Sequence, residues 1–280
     1  MVPARSFRPI SGTSNKDGGR DVQNATLKRR IGLWLPAILG ALVVGCGGGG
    51  ENDSILVAAA ASLTDALVEA GEAFESRTGI EVAFSFGGSN ALARQVELGA
   101  PADAVIFAGA APMDRLEASG HIAAGTRSNL LRNRLVLIGD TGAAPLATLR
   151  DRASTRGRIA LADPALAPAG LYAKQALETS GLWDGLQSRV IPTLDVRAAV
   201  GAVDTGSVAF GLVYATDAAN ASGVVVVFEV PETLHDPIVY PAAVVNEADG
   251  AVAAQMFLEF LLSDDGRAVF ERHGFAPVTE

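Results

Sequence analysis

The sequence predicts an α/β protein built from two lobes, and three observations lead to that prediction. Short apolar stretches alternate with amphipathic stretches from residue 54 onward, which is typical of strands and helices in an α/β fold. Hydrophobic residues make up 49% of the chain and charged residues 19%, which is enough apolar material for a packed core. Because no linker separates two consecutive domains, we expect the chain to cross between two lobes twice, near Asn133 and near Leu234.

The first series of elements begins with a buried strand predicted over residues 55–60. Leu63, Leu67 and Phe74 recur at helical spacing and predict a helix over residues 63–76. We expect further strands over residues 80–86 and 104–107, and helices over residues 89–98 and 112–119. These elements, with the end of the chain, are assigned to lobe 1, over residues 51–133 and 234–280.

A second alternating series, assigned to lobe 2 over residues 134–233, begins with a strand at residues 135–138. Further strands are expected over residues 158–161, 190–191, 208–213 and 224–227, and helices over residues 169–179 and 196–203. A strand over residues 240–245 and helices over residues 252–262 and 266–273 complete lobe 1.

Residues 1–50 have the organisation of an export leader followed by a tether. Lys28-Arg29-Arg30 precedes an apolar run over residues 31–44, which ends at Gly45-Cys46 and a run of four glycines. A basic stretch, a short apolar stretch and a small-residue boundary are typical of a signal peptide. A membrane-spanning helix needs roughly 20 apolar residues, so a single anchor helix is the less favoured alternative.

The charge of the remaining chain limits its partners. Residues 1–50 hold seven of the 22 basic and two of the 31 acidic residues, so the remainder has 15 basic and 29 acidic residues and a net charge of −14. Such a chain is a poor candidate for binding nucleic acid or an anionic membrane surface. Cys46 is the only cysteine, which leaves residues 51–280 without a disulfide, a thiol nucleophile or a thiolate metal site.

Two strand-to-helix turns carry the candidate binding chemistry. Ser62 follows the strand at residues 55–60, and Ser89 follows Gly87-Gly88 at the end of the next strand. A helix start has unpaired N–H groups and a partial positive charge, so both turns are able to attract an anion. Each serine is also explained as an ordinary helix cap, with Ser62 and Asp65 forming a capping box. The sequence leaves these alternatives open.

Catalytic and metal-binding signatures are weak in comparison. The histidines at positions 121, 235 and 273 are scattered and have no neighbours at ligand spacing, so we expect no metal centre. The sequence contains no G-x-S-x-G elbow, P-loop or dinucleotide fingerprint. We therefore expect a protein that is not an enzyme and carries no cofactor.

Several long stretches, in order along residues 54–277, resemble the periplasmic molybdate-binding proteins of ABC importers. The matching stretches are VAAAASLTDAL, SNALARQVELGAPAD, ADPALAPAGLYAKQALE, LDVRAAV, FGLVYATDA, YPAAVV and DDGRAVFERHGF. The resemblance implies the two-lobed type II periplasmic-binding-protein fold, in which each lobe is a mixed sheet flanked by helices. It also implies a monomer that delivers molybdate or tungstate to an ABC permease.

The resemblance further implies five contacts with the oxyanion. Ser62 and Ser89 of lobe 1 would give hydroxyl and backbone donors, and the N–H groups of Ala169 and Val196 in lobe 2 would bind it as well. The hydroxyl of Tyr214 would complete this set, with molybdate held as an oxyanion rather than by direct cation ligands. The sequence departs from some relatives at Gly87-Gly88, where they carry serine or alanine.

A donor-only site of this kind would select its ligand by protonation state and size. A fully ionised tetrahedral dianion offers acceptors only, whereas protonated phosphate would bring a donor hydrogen without an acceptor to receive it. Sulfate has the charge and shape of molybdate but is smaller, so pocket size must discriminate between them. A binding protein for sulfate or another oxyanion is the alternative within this class, and an enzyme or sensor on the same fold lies outside it. Tungstate is expected to bind like molybdate.

Val43-Val44-Gly45-Cys46 is similar to the lipobox of bacterial lipoproteins. The resemblance implies lipidation of Cys46, and the four glycines that follow would form a flexible tether. We therefore expect an exported lipoprotein, periplasmic or on the cell surface, that is anchored in a membrane through Cys46.

Overall fold

A computed structural model of the chain describes residues 54–154 and 157–278. The leader expected over residues 1–50, with Cys46, lies outside the described residues. The strands are β1 (Ser54–Ala60), β2 (Glu81–Gly87), β3 (Ala104–Ile106), β4 (Ser128–Arg132), β5 (Leu135–Asp140), β6 (Ile159–Ala162), β7 (Val190–Thr193), β8 (Phe210–Tyr214), β9 (Val224–Glu229), β10 (Val239–Val244) and β11 (Ala276–Pro277). The helices are α1 (Thr64–Thr78), α2 (Ser89–Glu97), α3 (Ala110–Ala118), α4 (Leu149–Ser154), α5 (Pro168–Thr179), α6 (Trp183–Leu186), α7 (Val196–Asp204), α8 (Ala215–Ala219), α9 (Ala251–Leu262) and α10 (Asp264–Arg272).

The strands form two mixed sheets, one in each lobe. The sheet of lobe 1 has the order β11-β4-β10-β3-β1-β2, and the sheet of lobe 2 has the order β7-β6-β8-β5-β9. In lobe 1, β2, β1 and β3 are parallel and β10 runs antiparallel to β3. The two-lobed α/β fold predicted from the sequence is confirmed, including the two crossings. The chain leaves the first sheet after Arg132 and returns to it at Val239.

Alternating side chains explain why helices cover both faces of the sheet in lobe 1. Val57 and Ala59 belong to the core that also contains residues of α1 and α9. Ala58 and Val105 belong to a second cluster with residues of α2 and α3. Successive residues of a strand point to opposite faces, so an almost uninterrupted apolar strand such as β1 is buried on both.

The parallel strands place the starts of several helices at one edge of each sheet. In lobe 1, β1 leads into a 3₁₀ turn over Ala61–Leu63, and β2 leads through Gly88 into α2. In lobe 2, β6 and β7 lead by short loops to α5 and α7. In open α/β sheets the carboxyl ends of the strands are where ligands bind. These four connections therefore supply the walls of the site.

The strand predicted from residue 208 begins at Phe210, as β8. Five short elements were not predicted from the sequence. The missed elements are β4, α4, α6, α8 and β11. The α6 and α8 helices have only four and five residues, which is too short for a helical period to be recognised. The two-residue β11 exists because it pairs with β4, so only the tertiary structure defines it.

Candidate anion-binding site

A small pocket lies between the two lobes and contains all five residues that the sequence indicated. Its empty volume, including the open mouth, is about 200 Å³. Sites for drug-sized ligands measure about 300–1,000 Å³, so this pocket suits a ligand of only a few atoms. The lining residues are Ala60, Ala61, Ser62, Gly87, Gly88, Ser89, Ala108, Ala167, Pro168, Ala169, Asp195, Val196 and Tyr214.

Ser62 does not cap a helix, although the sequence allowed that interpretation. It lies in the 3₁₀ turn over Ala61–Leu63, and α1 begins at Thr64 without a side-chain cap. The hydroxyl of Ser62 is buried and lies 3.0 Å from the Tyr240 hydroxyl. The capping box with Asp65 is therefore not formed, and the serine side chain remains available to the pocket.

Ser89 is also not a cap, because Gly88 occupies the cap position of α2 and Ser89 is the first helical residue. Its Oγ accepts a hydrogen bond of 3.0 Å from the backbone N–H of Ala108. Since an N–H approaches the oxygen from one side, the hydroxyl proton of Ser89 is directed elsewhere. Its backbone N–H lies in the first turn, where the helix offers no acceptor. Ser89 thus presents two donors to the pocket.

The second lobe contributes the starts of α5 and α7. Pro168 is the first residue of α5 and has no N–H, so the N–H of Ala169 is the first donor of this helix. Asp195 caps α7, and its carboxylate accepts the N–H of Ala198 at 2.9 Å. The N–H of Val196, one residue after the cap, has no acceptor within its helix. Both helix starts also carry the partial positive charge that favours an anion.

Tyr214 is the pocket residue whose hydrogen-bonding capacity most clearly calls for an acceptor from outside the protein. The side chain is 1% exposed, and its hydroxyl has no hydrogen-bond partner within the described part of the chain. Burial raises the pKa of Tyr214 well above its usual value, so the phenol keeps its proton and remains a donor. The residue is fully enclosed, so its hydroxyl does not reach bulk water. A buried donor without an acceptor is unfavourable unless a ligand receives it.

Among the described residues that line the pocket, Asp195, which caps α7, is the only one with a charged side chain. Arg197 of α7 forms an ion pair with Asp65 of lobe 1. Lys174 pairs with Glu178 on its own helix and lies over the ring of Trp183. The pocket would therefore hold an anion through neutral donors rather than through cationic side chains.

Further contacts across the cleft show that the lobes are closed on each other. The backbone N–H of Ala91 donates to the carbonyl of Leu166 at 3.0 Å. The Asn90 amide donates to the Pro164 carbonyl at 3.0 Å, and the Arg94 guanidinium donates to the Ala165 carbonyl at 2.7 Å. These contacts join the start of α2 to the loop before α5. Closure of two lobes around a ligand is the hinge motion typical of such folds.

Asp217 is a buried carboxylate of α8, three residues after Tyr214. Burial raises the pKa of Asp217 to about 7, while the guanidinium of Arg197, whose Nε lies 3.6 Å from Oδ1, lowers it in part. Asp195 and Asp65 raise the pKa further by like-charge repulsion. This carboxyl group therefore titrates near neutral pH.

The Asp217→Asn variant is expected to flatten the dependence of stability on pH. The folded pKa lies above the ordinary value of 3.8, so the folded protein holds this proton more tightly than the unfolded chain does. The resulting stabilisation is complete below pH 3.8 and is lost as the pH rises through about 7. The asparagine variant has no titrating group at this position. Its free energy of unfolding, measured with urea, should therefore decrease less than that of the parent between pH 5 and pH 8. The exposed control Asp184→Asn should retain the parental pH dependence, and an unchanged dependence in Asp217→Asn would contradict the assignment.

Among the residues described, no group of three or more histidine, cysteine, aspartate or glutamate side chains is arranged to hold a metal ion. The helices of the described ranges include none with the length and apolar character that a membrane span requires.

Sequence reasoning missed three residues that support the site, namely Tyr240, Asn133 and Asp65 in its pairing with Arg197. Tyr240, 178 residues further along the chain, contacts Ser62, and Asn133 contacts Tyr240, so the fold alone brings these residues together. The one available signal was the YPAAVV stretch, which contains Tyr240 and was part of the resemblance to molybdate-binding proteins.

A two-lobed α/β fold with a closed interlobe pocket of O–H and N–H donors defines a solute-binding protein. Residues 55–276 match the family model of bacterial extracellular solute-binding proteins, and the chain belongs to this family. It is 36% identical to the molybdate-binding protein ModA of Escherichia coli K12 over 251 residues, which cover 86% of this chain and 97% of the relative. It is 35% identical to a putative ABC transporter substrate-binding lipoprotein, YvgL, of Bacillus subtilis, with 88% and 98% of the two chains covered.

Solved structures agree with the fold. The periplasmic molybdate-binding protein of Azotobacter vinelandii superposes with a TM-score of 0.71 at 23% identity, covering 81% of this chain and 100% of that one. The sulfate-binding protein SubI of Mycobacterium tuberculosis gives a TM-score of 0.69 at 20% identity, with 80% and 87% covered. At these identities the two similarities concern the fold alone, and they do not indicate whether this chain binds molybdate or sulfate.

Proposed function

We propose that this protein is the substrate-binding component of an ABC importer for molybdate, and that tungstate binds at the same site. The observation that carries the proposal is the buried Tyr214 hydroxyl, which has no partner among the described residues and faces a pocket of other free donors. Relatives of known ligand support the choice of anion, since the relative from Escherichia coli is a molybdate-binding protein.

In this mechanism the anion would bind lobe 1 first, at Ser62 and Ser89. Closure of lobe 2 would then add the N–H groups of Ala169 and Val196 and the hydroxyl of Tyr214. The buried dianion would satisfy donors that are otherwise unpaired, and the closed pair of lobes would form the surface that a membrane permease recognises. The relatives identified are solute-binding proteins, and the role we propose for this chain involves no chemical step.

The chemistry of the site favours a fully ionised tetrahedral anion. The hydroxyls of Ser89 and Tyr214 and the helix N–H groups can all donate, and a dianion offers only acceptors. Hydrogen phosphate would place its own proton against one of these donors, at a cost of about 1–3 kcal/mol. The net charge of −14 outside the leader does not prevent binding, because screening over about 8 Å hides the distant carboxylates.

We further propose that the protein is exported and anchored as a lipoprotein through Cys46, and that it acts as a monomer. Support comes from the lipobox-like Val43–Cys46 sequence and from the Bacillus subtilis relative, whose name describes a lipoprotein. A tether of glycines after Cys46 would let the two lobes reach a permease while the anchor stays in the membrane.

A thermal-shift panel with molybdate, tungstate, sulfate and phosphate tests the ligand assignment. A ligand present at 100 times its Kd stabilises the native state by about 2.7 kcal/mol, so molybdate and tungstate should raise the Tm by several degrees. Phosphate should leave the Tm unchanged, and sulfate should act only at much higher concentration. Stabilisation by sulfate without stabilisation by molybdate would overturn the assignment and favour a sulfate-binding protein.

A further inference from the structure

A chain of buried hydrogen bonds leads from the interlobe crossing to the pocket. The side-chain amide of Asn133 donates to the hydroxyl of Tyr240 at 3.0 Å. That hydroxyl in turn lies 3.0 Å from the Oγ of Ser62. Asn133 stands between β4 and β5, where the chain passes from lobe 1 to lobe 2, whereas Tyr240 belongs to β10 of lobe 1. Tyr240 and Ser62 are 0% and 3% exposed, so water does not compete for these bonds.

The direction of each hydrogen bond follows from the partners of Asn133. Its Oδ1 accepts the backbone N–H of Arg134 at 2.8 Å, which fixes the orientation of the amide. The Nδ2 group therefore faces Tyr240 and Thr216, and it donates one hydrogen to each hydroxyl. A hydroxyl has a single proton. Tyr240 accepts from Asn133, and among the described residues its buried proton has only the Oγ of Ser62 as an acceptor, so Ser62 accepts in that bond.

Ser62 is consequently left with its own proton and with no other partner among the described residues. The residue lines the pocket, whereas Tyr240, from which its hydroxyl accepts, is not among the lining residues. The proton of Ser62 is then directed into the cavity as a donor. The same arrangement applies to Ser89, whose Oγ accepts from the N–H of Ala108. Each serine is thus held as a donor by a different group.

We propose that Asn133 and Tyr240 are positioning residues, which hold the Ser62 hydroxyl as a donor to the bound oxyanion. This inference rests on the proposed function, and it adds the groups that determine which way the Ser62 proton points. An anion that receives a pre-oriented donor does not have to reorder the hydroxyl on binding. A ligand that carried a proton at this position would place that proton against the proton of Ser62. The hydrogen-bonded series Asn133, Tyr240 and Ser62, called the relay below, therefore also contributes to rejection of hydrogen phosphate.

The amide of Asn133 also contacts lobe 2. Its bond of 2.9 Å to Thr216 ends on α8, the helix that begins directly after Tyr214. One side chain at the crossing therefore connects Tyr240 of lobe 1 with Thr216 of lobe 2. Loss of this amide should act on the pocket through Tyr240 and Ser62, because Thr216 does not line it.

A double-mutant cycle measured by titration calorimetry with molybdate tests the relay. Tyr240→Phe should weaken molybdate binding about tenfold in the parent protein, because Ser62 loses its oriented proton. In the Ser62→Ala background the same substitution should change the affinity less than about twofold, since no hydroxyl remains to be oriented. In the Ser89→Ala background, which serves as the matched control, the tenfold loss should persist.

Tyr240→Phe leaves one buried N–H of Asn133 unpaired and lowers the stability of the free protein, so a second variant, Asn133→Ala, removes that N–H as well. Asn133→Ala should weaken molybdate binding less than Tyr240→Phe does, and mainly when Ser62 is present. Equal losses in all three backgrounds, or no loss in the parent, would overturn the relay. If the parent gave no heat with molybdate, the proposed function would fail first, and the same cycle would be measured with whichever oxyanion of the panel binds.

Discussion

Ser89→Ala is expected to weaken molybdate binding by about 10- to 100-fold, because the substitution removes a donor to a charged ligand. Hydrogen bonds to charged groups contribute about 1.5–3 kcal/mol, and a factor of ten corresponds to about 1.4 kcal/mol. The alanine also leaves the N–H of Ala108 without its present acceptor in a buried wall of the pocket. Titration calorimetry with molybdate measures the loss directly.

The control for this experiment is Ser85→Ala, four residues earlier on β2, where the serine is exposed and does not line the pocket. It carries the same chemical change within the same strand-to-helix segment, and its affinity should equal that of the parent. Binding by Ser89→Ala that is as tight as in the parent would remove Ser89 from the site. Unfolding of the free variant should show only a modest loss of stability.

Gly170→Ala is expected to destabilise the fold by about 3 kcal/mol and to abolish tight anion binding. A Cβ atom at this position would lie 1.8 Å from the carbonyl oxygen of Ala162 and 2.8 Å from the nitrogen of Pro164. These are backbone atoms and cannot rotate away, so the start of α5 would have to move from the end of β6. That movement displaces the N–H of Ala169, which lies one residue before Gly170 and lines the pocket.

Gly201→Ala provides the matched control for this second prediction. Gly201 is an interior residue of α7, and a Cβ atom there meets nothing within 4 Å. Alanine is a better helix former than glycine, so this variant should gain about 0.5–1 kcal/mol and bind molybdate like the parent. Urea unfolding of the two variants should give opposite signs. A Gly170→Ala protein with parental stability would show that the contact between α5 and β6 is not tight.

The two serines illustrate what the sequence could predict about the site and why the rest could not be predicted. Position after a strand end indicated that Ser62 and Ser89 stand near helix starts, and the resemblance to molybdate-binding proteins implied that both contact one ligand. Local sequence could not exclude a capping role, because a cap and a ligand contact require the same residue type. The roles differ only in what the hydroxyl contacts, which for Ser62 is Tyr240 and for Ser89 is the N–H of Ala108.

Arg197 and Asp217 show the same limit for charged residues. A helix position such as that of Arg197 is usually solvated, and nothing near it in the sequence indicates a partner. The partner, Asp65, is 132 residues away and belongs to the other lobe. Asp217 follows Tyr214 by three residues, but its raised pKa results from burial, and further from the charges of Asp195 and Asp65, rather than from its neighbours in the chain.

The sequence by itself determined the two-lobed α/β fold, the elements that carry the site and the residues Ser62, Ser89, Ala169, Val196 and Tyr214 that line one pocket. It could do so because periodicity and turn residues are local properties, and because long matching stretches identify a family. Only the tertiary structure decided the direction of the donors, since a hydroxyl proton is oriented by whichever group approaches its oxygen. For Ser62 that group is Tyr240, held by Asn133 at the crossing between the lobes, and no local pattern connects these three residues.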